Sequence, residues 1–223
     1  MHEARARIIG RLRAARRPET PTTAAPVRRF DWDPEERLAR FQERLGAVRG
    51  EMYRVGADWP RVLFDLLRRR QVQELWFGPG GPAGRGLAAH WPDPSGIRLR
   101  PYLEPVEQCR AELFAGAQAG LTGCRGAIAE TGTLVLWPDG DEPRLLSLVP
   151  PLHVVLLEAG AVYSTFAELL EAQHWARGMP TNALLITGPS KSADIEQTLT
   201  YGVHGPKELI VLVREDGQGP EPR

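Results

Sequence analysis

Gly188-Pro189-Ser190-Lys191-Ser192-Ala193-Asp194-Ile195-Glu196 joins an apolar, strand-like run, Ala183 to Thr187, to a segment that reads as a helix from about Ser192 to Tyr201. Strand-to-helix junctions are where open α/β sheets bind ligands. Gly188 allows close backbone approach, Ser190 and Ser192 bring hydroxyls, Lys191 a full charge, and a helix start brings free N–H groups. Gly188, Pro189, Ser190, Lys191, Ser192, Asp194 and Glu196 therefore make a candidate seat for a carboxylate or phosphate. The structural alternative is a plain helix start, capped by Ser190 or Ser192, with Asp194 and Glu196 answering its dipole. The Gly-Lys-Ser/Thr order of a Walker loop is missing.

Ile128-Ala129-Glu130-Thr131-Gly132-Thr133 places one carboxylate among small residues in an otherwise apolar stretch. A buried Glu130 would need a partner or a raised pKa, which makes it a candidate acid, base or nucleophile. Thr131, Gly132 and Thr133 would then line its ligand. The alternative is a solvent-facing Glu on an edge strand. Tyr201-Gly202-Val203-His204-Gly205-Pro206 sets a histidine between glycines at what reads as a helix C-terminus. His204 is a candidate proton carrier or, with Gly205, an anion ligand; it is equally a histidine capping helix carbonyls.

The elements around these stretches point to α/β architecture. Asp33-Pro34-Glu35-Glu36 is a helix start, and Leu38, Phe41, Leu45 and Val48 follow as one apolar stripe ending at Gly50. Glu51 to Val55 reads as a strand, Pro60 opens a second helix, and Glu74 to Phe77 is a second strand. Residues 78–96 read as a long Gly/Pro loop, and Pro79 and Pro82 in its first part, Gly78 to Gly86, argue against a helix opening there. Pro105 to Ala119 reads as a helix, and Ala127 to Trp137 as a bent or double strand. Leu152 to Leu157 is a continuous apolar run typical of a buried parallel strand, with His153 a structural residue. Thr165 and Glu168 form a capping box for a helix through Trp175. Ala183 to Thr187 reads as a buried strand, and Glu208 to Val213 as the last one. Alternating strands and helices predict a largely parallel central sheet with helices on both faces.

Composition narrows the partners. The 28 basic and 28 acidic groups cancel, but residues 1–29 carry eight arginines against Glu3 and Glu19, a net +6, leaving −6 for the rest. No aromatic residues interleave with those arginines, so the basic stretch reads as a solvated extension and nucleic acid is an unlikely partner. No apolar run of 18 residues occurs, so no membrane partner is expected, and no charged-then-apolar leader opens the chain. Two cysteines, Cys109 and Cys124, cannot supply the four ligands of an iron–sulfur or zinc site. His90 and His174 show no metal spacing. No metal and no cofactor are expected on this chain, and a cytoplasmic location is the simplest expectation.

Read in order, Gly120-Leu121-Thr122-Gly123, Ile128 to Thr133, Ser147-Leu148-Val149-Pro150-Pro151-Leu152-His153, Thr187 to Glu196 and Gly202 to Pro206 resemble the LUD-domain family, nearest to its lactate utilization protein C branch. The resemblance covers about residues 30–215, with 1–29 a basic extension and 216–223 a polar tail. It implies a fold similar to the sugar-phosphate isomerase and CoA-transferase group. It also implies a part in oxidising L-lactate to pyruvate beside an iron–sulfur protein and a cysteine-rich CCG-type protein, which would carry the electrons. The stretch Gly123-Cys124-Arg125-Gly126-Ala127 departs from the family, where an Asp- or Asn-bearing stretch is expected. By analogy with CoA transferases, Glu130 would be the reactive carboxylate. Three functions follow as alternatives: a lactate-oxidation subunit binding a small carboxylate or a redox partner, a stand-alone isomerase- or acyl-transfer-like enzyme, and a non-catalytic assembly protein. The first is preferred, and it predicts Glu130, Ser190, Asp194 and His204 in one cleft at the strand C-terminal ends.

Overall fold

The computed structural model describes residues 2–14, 28–92, 96–193 and 199–215. After helix α1 (His2–Ala14), Asp33 caps α2 (Pro34–Ala47) by accepting the Glu36 N–H at 2.8 Å. Leu38, Phe41 and Leu45 of α2 are all buried. Each such side chain contributes about 1.5–3 kcal/mol on burial, against about 1 kcal/mol for the cap, so packing fixes the helix and the cap fixes its start.

Then follow β1 (Glu51–Val55), α3 (Trp59–Arg69), β2 (Glu74–Phe77), α4 (Pro82–His90), β3 (Arg98–Pro101), α5 (Val106–Gly116) and β4 (Ala119–Gly123). The chain continues with β5 (Gly126–Ile128), β6 (Thr133–Leu136), β7 (Leu152–Glu158), β8 (Val162–Tyr163) and α6 (Phe166–Ala172). It closes with β9 (Leu184–Ile186), β10 (Lys191–Ala193), β11 (Leu199–Tyr201) and β12 (Glu208–Arg214).

Six strands form one sheet in the order β1-β12-β7-β4-β2-β3, every pairing parallel. Alternate residues divide its two faces. Leu152, Val154 and Leu156 of β7 pack with Leu63 and Leu67 of α3 and Leu87 of α4. Val155 and Leu157 pack on the other face with α2 and with Leu134 of β6. On that second face, Cys109 and Leu113 of α5 cover Trp76. The expected parallel sheet with helices on both faces is therefore present. A smaller sheet, β8-β5-β6-β9, lies on the α2 side. Among the described residues no helix is long and apolar enough to cross a membrane.

Several expectations need correction. The stretch 78–96 contains α4: Pro82 sits in its first turn, where the missing N–H costs nothing. Gly84 and Gly86 are tolerated because they pack against Gly78 and Trp59, leaving no room for a Cβ. The helix expected to Ala119 ends at Gly116, and Ala119 begins β4. The helix capped by Thr165 ends at Ala172, with a separate 3-10 turn at Trp175–Arg177. The Ala183–Thr187 strand belongs to the small sheet, pairs antiparallel with β6 and is only partly buried. The largest change concerns 192–201. Its two described ends are strand rather than helix: β10 and β11 pair antiparallel, Ser192 opposite Thr200, and 194–198 lie outside the described residues. Thr200 and Tyr201 are strand-prone, and the Arg49 guanidinium lies 4.6 Å above the Tyr201 ring.

Candidate functional site

The C-terminal ends of β2 and β4 meet in a crevice on the second face. The chain reverses its course across the sheet here, running out from β2 to β3 and back to β4, the situation in which open parallel sheets bind ligands. Parallel pairing sets Gly120 beside His153. One turn of the pleat further, Thr122 Oγ1 lies 2.9 Å from His153 Nε2. His153 is 1% exposed, and burial pushes its pKa down to about 3, so the imidazole is neutral. Its Nδ1 has no partner among the described residues. The tautomer that leaves no buried N–H unpaired carries the proton on Nε2, which then donates to Thr122. The Thr122 hydroxyl proton is thereby left for another acceptor. A histidine with so low a pKa is a poor general base; here it positions Thr122.

Above Thr122, the Gly123 N–H donates to both carboxylate oxygens of Glu142, at 3.2 and 3.1 Å. Glu142 belongs to the turn Pro138 to Pro143, which is tied to itself: the Asp139 carboxylate accepts the N–H groups of Asp141 and Glu142, both at 2.9 Å. The turn presses on the loop between β2 and α4. A Cβ on Gly80 would strike the Asp141 carboxylate, and one on Gly81 the Glu142 carboxylate. Arg85 of α4 donates to the Gly80 carbonyl. A cavity of about 10 Å3 remains, lined by Thr122, Gly123, Trp137, Glu142, Arg144 and Ser147 among others; that is room for about one water.

The residues singled out by sequence lie elsewhere. The Ser190 N–H donates to the Pro206 carbonyl at 2.8 Å, and the Gly202 N–H to the Ser190 carbonyl at 2.9 Å. The N–H groups of Lys207 and Glu208 both donate to Pro151. Ser190 and the Gly202–Pro206 loop thus share one place, at the N-terminal ends of β7 and β12. The cleft expected at the strand C-terminal ends is not where they sit. Gly202, at φ +77°, follows a strand and caps no helix. Among the described residues no helix starts after Gly188 and Pro189, since Lys191–Ala193 is strand β10, so no helix dipole is described at the 188–196 seat. Lys191 and His204 are exposed, and Ser192 and Gly205 are half-buried. Asp194 and Glu196 lie outside the described residues.

Glu130 sits in the tight turn between β5 and β6. Its N–H donates to the Ser164 carbonyl, and its carboxylate accepts from Arg28 Nη1 at 2.6 Å. Gly132, at φ +68°, fits against α2, where a Cβ would fall 2.5 Å from Arg44 Cβ. Thr131, Thr133 and Thr187 form a hydroxyl chain with both steps 2.7 Å. That chain joins the 130–133 turn to the start of the 188–206 region, while no described contact joins the Glu130 carboxylate to Ser190 or His204. Cys109 is buried, and burial, reinforced by the Glu142 charge, pushes the Cys124 thiol far above its usual range. No cluster of three or more metal-ligating side chains occurs among the described residues. A wider depression of about 470 Å3 lies at the N-terminal ends of β2 and β3, but its arginines are engaged: Arg98 pairs with Glu74 and Arg100 with Glu112.

Comparison with known proteins places this architecture. The LUD domain profile matches residues 38–213, nearly all of the two-sheet body. The chain belongs to the LUD domain family. An uncharacterized protein of Neisseria meningitidis serogroup B is 36% identical over 184 residues, 81% of this chain and 78% of that one. Lactate utilization protein C of Deinococcus radiodurans is 40% identical over 120 residues, 52% of this chain and 53% of that one. The Macrococcus caseolyticus protein of the same name is 35% identical over 45% of each chain. Among solved structures, a DUF162 family protein from Deinococcus radiodurans superposes with a TM-score of 0.61 at 27% identity, covering 82% of this LUD domain protein and 99% of that chain.

The crevice was largely missed by sequence reasoning. His153 reads as core, and Thr122, Gly123 and Glu142 carry no local signal. One signal existed: Gly120–Gly123 and Ser147–His153 both belong to the stretches that resemble the family, and the parallel register of β4 and β7 brings them together.

Proposed function

We propose that this protein serves in L-lactate utilization, as the subunit that holds a small carboxylate while partner proteins carry the electrons. The observation that supports the lactate role is its kinship with proteins named lactate utilization protein C, at 35–40% identity over about half of each chain. The crevice adds chemical sense. It offers a backbone N–H already engaged with a carboxylate and a Thr122 hydroxyl aimed by His153. Arg144 stands at the rim.

Oxidation of L-lactate to pyruvate removes two electrons and two protons. Two cysteines, one buried and the other held as a thiol, give this chain no set of cluster ligands. The electrons therefore pass to partners, for which iron–sulfur and CCG-type lactate utilization proteins are the natural class. Glu130, paired with Arg28 and outside the crevice, supports an acyl-transfer role less well.

Deletion of the gene is expected to abolish growth on L-lactate, with the wild-type chain restoring it. The chain purified from lactate-grown cells should bring iron–sulfur proteins with it. Normal growth of the deletion strain on L-lactate overturns the proposal.

A further inference from the structure

The Glu142 carboxylate has an unusual seat. It lies at the C-terminal end of β4, against a glycine loop that opens α4, with both oxygens on one backbone N–H. Gly80, Gly81 and Gly123 face the 141–142 segment, at distances where a Cβ on any of them would crowd the Asp141 or Glu142 carboxylate. Three arginines lie near the three carboxylates of the turn, Asp139, Asp141 and Glu142, and of these Arg125 is already engaged. Arg125 lies over the Trp137 ring, 5.1 Å from its centroid, Arg85 reaches the glycine loop, and Arg144 lines the cavity. Arg144 makes no ion pair among the described residues. What remains around Glu142 has room for about one water, so a ligand can enter only if Glu142 leaves.

We infer that Glu142 is an internal stand-in for the carboxylate of a small-molecule ligand, and that the Pro138–Pro143 turn must swing out when that ligand binds. The turn is suited to move as a unit. Its internal hydrogen bonds run from Asp139 to Asp141 and Glu142, prolines mark both ends, and its hold on the sheet includes the two bonds from Gly123. The incoming carboxylate takes the Gly123 N–H, the Thr122 hydroxyl lies beside it, and Arg144 supplies the opposite charge. The donor set suits a single carboxylate. A phosphate would leave acceptor oxygens unpaired with so few donors. The choice of L-lactate and pyruvate as probes rests on the proposed function; the seat itself does not.

The test is calorimetric titration of the full chain and of its Glu142→Gln and Glu142→Ala variants with L-lactate, pyruvate and inorganic phosphate. A seat filled by its own carboxylate about nine-tenths of the time lowers apparent affinity about tenfold. Both variants are therefore expected to bind at least one of the two carboxylates about tenfold more tightly than the wild type. Equal or weaker carboxylate binding by both variants overturns the inference, as does a gain for phosphate alone. Should Glu142→Ala fail to fold, the nearly isosteric Glu142→Gln carries the titration. Amide exchange in the wild-type protein adds a second arm: saturating pyruvate should speed exchange at Asp139–Glu142, and slowed or unchanged exchange counts against a swinging turn. If the variants gain pyruvate binding while the deletion strain still grows on L-lactate, the lactate role falls and the seat stands.

Discussion

The two ends of the parallel sheet are built from different kinds of contact. At the C-terminal end of β4 the polar groups are side chains aimed into a crevice: Thr122 on His153, Glu142 on Gly123. At the N-terminal ends of β7 and β12 they are backbone groups satisfying one another, Ser190 with Pro206 and Gly202 with Ser190, while His204 stays exposed. In the first arrangement a side chain that could be exchanged occupies the backbone donor; in the second, backbone groups hold a strand pair and a loop together. Motif-like residue types therefore mark both ends, but only the first sets polar side chains against a cavity.

The sharpest way to break this contrast is through His153. The unfolded chain takes up its proton near the ordinary 6.5, the folded one only near 3. Between those values the unfolded state holds more protons. Stability is thus full above about pH 6.5 and falls as pH drops toward 3, by up to about 1.4 kcal/mol per pH unit. Urea unfolding of the wild type and His153→Leu across pH 7 to 4 checks this: the gap between them should close in acid, and a gap independent of pH would refute a neutral, dry crevice floor.

Glycines at the other region come next. Gly132→Ala forces an L side chain into a left-handed backbone and onto the backbone of α2, 2.9 Å from Leu45 N, and should cost about 2 kcal/mol or more. Gly188→Ala, at φ +104°, meets mainly the Val48 side chain, its Cγ2 at 2.7 Å and its Cβ at 3.1 Å, with the backbone no nearer than 3.4 Å, so a smaller loss of about 1 kcal/mol is expected. Denaturant midpoints decide the order, and a larger loss at Gly188 would reverse the assignment of which turn is rigidly seated.

The smallest effect is expected at Arg28→Ala. Its ion pair with Glu130 is 2.6 Å long, but the Arg28 side chain is 75% exposed, and such pairs contribute about 1 kcal/mol or less. A loss of several kcal/mol in the same unfolding assay would show that Glu130 is more deeply engaged than its turn suggests.

What was legible in the sequence was local. Asp33-Pro34 starts α2 as expected, because cap and first turn lie within four residues. Thr165 does cap α6, its Oγ1 accepting the Glu168 N–H, while the Glu168 carboxylate reaches one residue further back than a capping box requires and accepts the Ser164 N–H. Leu152–Leu157 is buried on both sides of the sheet, as its unbroken apolar run implies. The crevice was not legible, because its pairs are made by register: Thr122 and His153 are 31 residues apart, and Gly123 and Glu142 19. The β10–β11 pairing was missed for the opposite reason. Its serines and acids imitate a helix start, while the strand preference of Thr200 and Tyr201 and the stacking of Arg49 decide the outcome.

The position of β12 has a consequence for synthesis. Its only neighbours are β1 and β7, and β1 pairs with nothing else in the sheet, Glu51 lying opposite Ile210. Among the described strands the earliest in the chain therefore waits for the latest, and until about residue 214 has emerged both β1 and β7 present bare hydrogen-bonding edges. Closure of the sheet is a late event spanning nearly the whole chain, the kind of long-range pairing that folds slowly and exposes a nascent protein to its neighbours.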